Sequence, residues 1–248
     1  MIRFSWLGAM FATVALLTGT QARADDKPTK AQRYAVIVGV GEFADKDIKG
    51  RPTADADAKL IANILSDKKL GGVPADNLQL LLSSNKGGAT EGTKANILKA
   101  LGEVASKVGK DDTLFLYFVM QGATAGEKPC LFATDSTFKD RVKNGIFATE
   151  IEEKLKALKS EQVATFLDFN LKAFESKESI LAPNVFEFTR VFLGLKDKDN
   201  DEPPAGRVVY MSGNGIQPSL SVGDQGLFTE AISDALKGKA DVEGHVQP

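Results

Sequence analysis

The sequence is poor in the two side chains that most often carry metal or nucleophilic chemistry. It has one cysteine, Cys130, and one histidine, His245, among 248 residues. A lone cysteine excludes an intrachain disulfide, and so small a set excludes a zinc site built from several Cys and His ligands. At most one Cys–His pair can form, so any enzymatic interpretation of the chain has few residues to draw on.

The sequence also lacks an excess of charge of either sign. Its 31 basic and 33 acidic residues give a net charge of −2 at pH 7. Because binding to a phosphate backbone needs a basic surplus, nucleic acid is not an expected partner. A hydrophobic content of 43% and a charged content of 26% predict a globular chain with one sizeable core rather than a disordered one.

Long hydrophobic runs are absent except at the start of the chain. Arg3 is followed by the uncharged residues 4–17 and then by Ala22-Arg23-Ala24. This order is typical of a secretory signal peptide, and the apolar run is shorter than a membrane span. We predict cleavage after Ala24, which removes residues 1–24 and leaves an exported protein, periplasmic or extracellular, with a net charge of −4 and no membrane association. A retained membrane anchor is the alternative.

The rest of the chain is predicted to contain a linker at residues 25–32, one folded domain at residues 33–240 and a tail at residues 241–248. Within the domain, buried-strand patterns alternate with amphipathic helix patterns, and Thr53 is expected to cap the first helix. This alternation predicts a mostly parallel sheet with helices on both faces, a three-layer α/β/α sandwich. The predicted strands are residues 34–40, 78–82, 113–120, 129–134, 163–169 and 207–211, and the predicted helices are residues 53–65, 93–108, 148–158 and 227–236. Residues 174–195 carry several aromatics without a clean period.

Three sequence segments indicate a particular family within this fold class. Tyr34-Ala35-Val36-Ile37-Val38-Gly39-Val40 is followed by Ala56-Asp57-Ala58 and then by Thr93-Lys94-Ala95-Asn96-Ile97-Leu98. In this order they resemble the first third of the caspase-like peptidases, especially the bacterial caspase and metacaspase homologues. The resemblance continues to about residue 240, and it implies a caspase-like sandwich over nearly the whole domain.

The same resemblance implies where catalytic residues would lie, and this chain departs from the family at both places. The family carries Ser-Gly-His-Gly after its third strand, where this chain reads Val119-Met120-Gln121-Gly122. It carries Asp-x-Cys-His after a later strand, where this chain reads Asp168-Phe169-Asn170-Leu171. Gln121 thus stands at the histidine position and Asn170 at the nucleophile position. An amide neither shuttles a proton near neutral pH nor replaces a thiolate. These departures predict a pseudopeptidase that acts by binding a peptide or a protein.

Other parts of the family's site match. The resemblance implies that Gly122 contributes an oxyanion-hole N–H and that Asp168 lines a pocket for a basic side chain. The alternatives are a turn glycine and a strand-end carboxylate that caps a turn. The alternative function is an active cysteine endopeptidase, which would need Cys130 and His245. Cys130 precedes an apolar run typical of a buried position, and His245 lies in the tail.

No metal or cofactor is expected from the remaining motifs. The acidic residues 197–201 lack the glycine and the final acid of a calcium loop. Gly39-Val40-Gly41 is not followed by the helix of a dinucleotide site, and Ser212 lacks the flanking glycines of a hydrolase elbow. By resemblance, the last predicted strand, residues 207–211, is a candidate for edge-to-edge pairing into a homodimer.

Overall fold

The structure, a computed structural model, describes residues 30–126, 128–171, 185–195, 202, 204–213 and 219–239. The predicted signal peptide, most of the predicted linker, most of the charged loop at 196–204 and the tail with His245 lie outside the described residues. Within the described ranges, no helix has both the length and the apolar character needed to cross a bilayer.

Eight strands of the described chain join into one sheet, and two more form a small hairpin. The strands are β1 (Arg33–Val40), β2 (Leu78–Leu82), β3 (Thr90–Glu91), β4 (Thr113–Ala125), β5 (Lys128–Leu131), β6 (Ile146–Phe147), β7 (Gln162–Asn170), β8 (Arg207–Met211), β9 (Ser221–Val222) and β10 (Gln225–Gly226). Six of them run parallel in the order β3-β2-β1-β4-β7-β8.

Helices cover both faces of this parallel sheet. They are α1 (Ala54–Ser66), α2 (Lys94–Lys107), α3 (Arg141–Asn144), α4 (Ala148–Leu155), α5 (Phe186–Leu193) and α6 (Leu227–Leu236). Residues of α1 and α6 pack on one face, and residues of α2, α4 and α5 pack on the other. The predicted three-layer α/β/α sandwich with a mostly parallel sheet is therefore confirmed.

The central strands are buried on both faces, which explains why their sequences are apolar without alternation. In β1, Ile37 faces the core under α1 while Val38 faces the core under α2. In β4, Tyr117 and Phe118 divide between the two cores in the same way. Each such aliphatic or aromatic side chain contributes about 1.5–3 kcal/mol by leaving water, so the centre of the sheet dominates the stability.

The start of α1 differs from the prediction. Thr53 occupies the N-cap position, but its side chain makes no capping hydrogen bond because its backbone is helical, with φ −80° and ψ −16°. Thr93, before α2, has the extended backbone that capping needs, with φ −70° and ψ 156°, and its hydroxyl accepts the N–H of Asn96 at 3.2 Å. The prediction that Thr53 caps its helix is wrong.

The strand β4 is longer than the sequence pattern predicts, and it changes partners along its length. Its first nine residues pair with β7 in parallel register, ending at Gln121 opposite Asn170. From Gly122 onward it pairs antiparallel with β5, which in turn pairs with β6. Gln121 therefore lies at the point where the parallel sheet gives way to an antiparallel ribbon.

Candidate functional site

The structure brings together the two positions at which the sequence departs from the caspase-like pattern. Gln121 ends the parallel part of β4, Asn170 ends β7, and the two residues are partners in the parallel register. Neighbouring strands lie about 4.8 Å apart, and register partners in parallel strands point to the same face. Both side chains therefore emerge side by side at the carboxyl end of the sheet, on the face covered by α1 and α6.

The loop between β1 and α1 fixes the orientation of the Gln121 amide. Its Nε2 donates a hydrogen bond of 3.0 Å to the backbone carbonyl of Lys49. A carbonyl can only accept, so the amide nitrogen faces Lys49 and the amide oxygen faces away. Gln121 is 2% exposed, and its Oε1 is buried without a hydrogen-bond donor among the described residues.

Asn170 has an equivalent unpaired oxygen. The residue is half-buried, and its Oδ1 is shielded from water and receives no hydrogen bond from the described part of the chain. Buried polar atoms nearly always have a partner in folded proteins. Gln121 and Asn170 thus share the same feature, a buried amide oxygen that receives no hydrogen bond from the residues that the structure describes.

Asp168, the predicted pocket acid, lies two residues earlier in β7 on the same face. It is 1% exposed. Arg51 of the β1–α1 loop donates Nη1 to the Asp168 carbonyl at 2.8 Å and forms an ion pair with the Asp168 carboxylate through Nη2. The hydroxyl of Ser219 donates to the other carboxylate oxygen. Internal partners therefore engage both carboxylate oxygens, and the charge of Arg51 compensates that of Asp168.

Position 122 is a glycine because the surrounding chain leaves no room for a side chain. A Cβ built on it would lie 2.3 Å from the carbonyl oxygen of Cys130 and 2.5 Å from a methyl carbon of Leu171. Any larger residue would push apart β4, β5 and the chain after β7. This close approach explains the glycine without reference to a substrate.

The single cysteine is packed inside the antiparallel ribbon. Cys130 is fully buried in β5, in register with Ala123 on one side and Phe147 on the other. Burial, the main cause, raises the pKa of its thiol to about 11. At neutral pH the thiolate, which is the nucleophilic form, is therefore scarce. Within the described ranges, no group of three or more His, Cys, Asp or Glu side chains is placed to hold a metal ion.

A second buried polar cluster ties α6 to the sheet. Asp57 of α1 is fully buried, and its Oδ1 accepts the N–H of Gly226 at 2.8 Å, just before α6 begins. The hydroxyls of Tyr117 and Thr229 lie 2.6 Å apart in the same region. Burial is the main cause that raises the pKa of Asp57 above 3.8 and also raises the pKa of Tyr117. This cluster holds the first turn of α6 against α1 and β4.

The β1–α1 loop that covers the site is itself anchored at the end of β2. The hydroxyl of Ser83 accepts the N–H groups of Gly41 at 2.9 Å and Glu42 at 3.0 Å, and it donates to Asp55 of α1. A cavity of about 500 Å³ borders the same loop and is lined in part by Lys49. The loop thus presents a held backbone to the site and open space beside it.

Sequence reasoning missed Arg51 and Ser219, which complete the surroundings of Asp168. Arg51 is separated from Asp168 by 117 residues and Ser219 by 51. The requirement for a buried carboxylate to have a cation is general. However, the sequence offers many cations and no spacing rule that singles out Arg51.

Comparison with known proteins supports the fold through structure rather than sequence. No family model matches the chain, and no curated protein matches it. Protein GSU0716 from Geobacter sulfurreducens is similar in structure, with a TM-score of 0.58 and 16% identity over 85% of this chain and 84% of that one. Caspase-1 from Spodoptera frugiperda is similar with a TM-score of 0.53 and 13% identity over 84% of this chain and 70% of that one. The chain therefore has a caspase-like α/β fold.

Proposed function

We propose that this protein is a non-catalytic member of the caspase-like superfamily that binds a peptide segment or a protein partner at the carboxyl end of its sheet. The observation that carries the proposal is the pairing of Gln121 with Asn170 at the ends of β4 and β7. Two carboxamides stand side by side where the family resemblance implies an imidazole and a thiol.

Cysteine peptidase chemistry needs a thiolate, a group that handles the proton, and donors for the oxyanion. Neither Gln121 nor Asn170 can supply the first two. Cys130 lies in β5 rather than at the end of β7, and the pKa of its buried thiol is about 11. Removal of a catalytic unit of this kind costs about a millionfold in kcat, so these features favour binding without turnover.

The surroundings of the two amides favour a binding role. Each amide has a buried oxygen that accepts no hydrogen bond from the described residues, so the polar groups at this end of the sheet are not all engaged within the described part of the chain. Asp168 is already paired with Arg51, which argues against selection of a basic side chain by this carboxylate. The anchored β1–α1 loop and the cavity beside it offer a surface against which a chain segment could pack.

We also propose that the protein acts outside the cytoplasm, after cleavage of residues 1–24. This part of the proposal rests on the basic start, the apolar run and the Ala22-Arg23-Ala24 site in the sequence. Edman sequencing of the protein purified from its host should begin at Asp25. An intact Met1 on the purified protein would contradict this step.

A peptide-cleavage panel tests the absence of turnover. The wild-type protein is incubated with fluorogenic reporters that carry basic, acidic and neutral residues, with and without calcium. The matched comparison is the double variant Gln121→His/Asn170→Cys, which restores an imidazole and a thiol at paired register positions. We expect no cleavage by the wild type, and labelling of the double variant by a thiol-directed probe at the new cysteine. Cleavage by the wild type that Cys130→Ser abolishes would support the alternative, an active cysteine endopeptidase.

Peptide display on the wild-type protein tests the binding role. The control is Asn170→Arg, which places a long cation at the half-buried end of β7. We expect enriched peptides to bind the wild type and to lose affinity for this variant. If enriched peptides bind both proteins equally, the carboxyl end of the sheet is not the binding surface.

Exposed apolar residues on β8 favour a second candidate function, self-association. Val208 is 42% exposed and Tyr210 is 51% exposed, and the Tyr210 ring stacks on Phe166 at 5.3 Å. Among the described strands, β8 pairs only with β7, which leaves one edge available to a second copy of this chain. Light scattering should show dimers at high concentration for the wild type and monomers for Val208→Lys/Tyr210→Glu. A wild type that stays monomeric would remove this candidate.

A further inference from the structure

A cavity of about 580 Å³ lies at the amino ends of β1, β4 and β7, at the opposite end of the parallel strands from Gln121 and Asn170. It is bordered by these three strands, by the end of α1 with the turn that follows it, and by the end of α6. The path along β4 from Thr113 to Gln121 covers about 26 Å. The cavity is therefore separate from the candidate site, and its volume falls in the range of small-molecule sites.

The inner surface of the cavity is an apolar wall, formed by Leu65, Leu70, Phe115 and Leu236. Leu65 is 2% exposed, and the other three are half-buried against the hydrophobic core that contains it. Such a wall favours the apolar part of a ligand, because each methylene group that leaves water there raises affinity by about fourfold.

Both helix ends at the cavity are held by main-chain hydrogen bonds. Two carbonyls in the last turn of α1 accept the N–H groups of Gly71 at 3.2 Å and Val73 at 2.8 Å, and the carbonyls of residues 233–235 in α6 accept those of residues 237–239. A Cβ on Gly71 would lie 2.3 Å from the Cα of Leu65, so the turn packs directly on the helix end. The wall is already formed, and a ligand has little of it to order.

The outer part of the cavity is a basic rim, formed by Arg33, Lys69 and Lys237. None of these three side chains forms an ion pair with the described residues, and no Asp or Glu is among the described residues that line the cavity. The Nη1 of Arg33 donates to the carbonyl of Gly71 at 2.7 Å, which holds the guanidinium at the rim. The whole chain carries a net charge of −2, so the positive charge of the rim is a local feature.

The three acidic residues that directly adjoin lining residues in the sequence are engaged away from the rim. Asp112 accepts main-chain N–H groups with both carboxylate oxygens. Glu161 pairs with Lys110 at 3.3 Å, and Asp234 pairs with Lys239 at 2.8 Å. The described residues therefore offer an incoming anion three cations without a competing carboxylate in the lining.

We propose that this cavity binds a small amphipathic carboxylate, an alkyl chain that ends in an anionic group. The alkyl chain packs on the apolar wall, the carboxylate accepts hydrogen bonds from the basic rim, and no covalent bond changes. Residues 240–248, which follow α6 outside the described residues, carry Asp241 and Glu243 and are the competing occupant. This inference does not depend on what binds at the carboxyl end of the sheet.

The test is a titration of the isotope-labelled full chain with four ligands, followed by NMR through the backbone amides of Gly71, Phe115 and Gly238. Octanoate has both the chain and the negative charge. Octanamide lacks the charge, octylammonium reverses it, and acetate lacks the chain. We expect octanoate to bind at least about fivefold tighter than octanamide, and at least about a hundredfold tighter than acetate. Added salt should weaken octanoate binding, because the rim is exposed.

Variants then assign the binding to the cavity. Lys69→Gln/Lys237→Gln removes two charges of the basic rim, and both side chains are exposed. The matched control is Lys59→Gln/Lys68→Gln, which removes the same charge at two exposed lysines outside the lining. Ala235→Trp places a large ring in the cavity at an exposed lining position. We expect octanoate affinity to fall at least about fivefold in the rim variant, to stay unchanged in the control, and to be lost in Ala235→Trp.

Several outcomes would overturn the inference. Equal binding of octanoate and octanamide, or tighter binding of octylammonium, would show that the rim does not select an anion. Octanoate binding that appears only in the variant Asp241→Asn/Glu243→Gln would assign the cavity to the chain's own tail. Binding to phosphatidylglycerol vesicles without binding to octanoate would assign the rim to a membrane surface. None of these results bears on peptide cleavage or on peptide binding, so a failure here is distinguishable from a failure of the proposed function.

Discussion

Arg51 and Asp168 form a buried ion pair that joins the β1–α1 loop to the end of β7. The guanidinium contacts both the carboxylate and the carbonyl of Asp168, and the two residues are 8% and 1% exposed. Residues on either side of this pair, Lys49 and Asn170, belong to the candidate site. The pair therefore sets the distance between the loop and the two amides.

Replacement of Arg51 by Met should destabilise the protein strongly. The substitution leaves the Asp168 carboxylate buried without a cation, which costs about 3–5 kcal/mol. Urea unfolding followed by circular dichroism measures this loss. The double variant Arg51→Met/Asp168→Leu should be more stable than the Arg51→Met variant, because it no longer buries an unpaired charge.

The exposed pair between Lys110 and Glu161 provides the control for this experiment. Its side chains are 66% and 56% exposed, and the charges are 3.3 Å apart. Exposed pairs of this kind contribute about 0–1 kcal/mol, so Lys110→Ala should change stability little. If Arg51→Met and Lys110→Ala have equally small effects, the buried pair does not anchor the loop.

Cys130 should resist alkylation in the folded protein. Burial raises the pKa of its thiol from 9.0 to about 11, which lowers the thiolate fraction near pH 8 by about a hundredfold, and packing against Ala123 and Phe147 blocks reagents. Iodoacetamide labelling followed by mass spectrometry should be slow in buffer and rapid in concentrated urea. Equal rates in the two conditions would show that the ribbon opens readily.

Asp57 should make the protein less stable as the pH rises through the acidic range. Burial raises the pKa of Asp57 in the folded state above its ordinary value of 3.8, so the folded state binds more protons than the unfolded state. The stabilising contribution is complete below the unfolded pKa, and it is lost as the pH rises through the folded pKa. Other carboxylates also make the free energy of unfolding depend on pH. The contribution of Asp57 therefore has to be measured against a variant that lacks this carboxylate.

The variant Asp57→Asn isolates this contribution. Urea unfolding between about pH 4 and pH 7 should show that the stability of the wild type, measured relative to this variant, falls as the pH rises. Asp76→Asn, in an exposed turn before β2, is the control variant. The stability of the wild type relative to this control should not change over the same pH range. A relative stability that rises with pH would mean that the Asp57 pKa is lowered in the folded state.

The substitution Gly39→Ala should disrupt the contact between β1 and α1. A Cβ on Gly39 would lie 2.3 Å from the backbone oxygen of Ala54 and 2.5 Å from the Cβ of Ala58, which neither side can avoid without moving backbone. Overpacking of this type costs about 1–3 kcal/mol. The control is Gly213→Ala, where no atom of the described residues lies within 4 Å of the added methyl group and stability should change little. A thermal melt that places both variants at the same midpoint would contradict the close packing.

The sequence was informative where the chain is buried on two sides. The runs at residues 34–40 and 113–120 are almost entirely apolar without alternation, and residues 163–169 are mostly so, because each strand faces a core above and below. Once those strands are parallel, Gln121 and Asn170 lie at the same edge of the sheet, since both stand at carboxyl ends. That they are direct neighbours depends on the pairing of β4 with β7, which the pattern of each strand does not encode.

Other features depend on contacts that no local pattern encodes. In α5, Phe186 and Phe188 alternate with Glu187 and Thr189, which resembles a strand although the segment is helical. The ion pair of Arg51 depends on loops that meet only after folding. Thr53 and Thr93 look alike as capping residues, and only the backbone conformation before each helix separates them.

The change of partners along β4 means that the backbone around Gln121 is held independently of the side chain at this position. Main-chain pairing with β7 on one side and β5 on the other holds the segment around Gln121 whatever side chain it carries. Substitutions at this position can thus alter reactivity or ligand choice while the scaffold persists. A designer can therefore exchange the side chain at the end of the parallel part of β4 and leave the sheet that carries it intact.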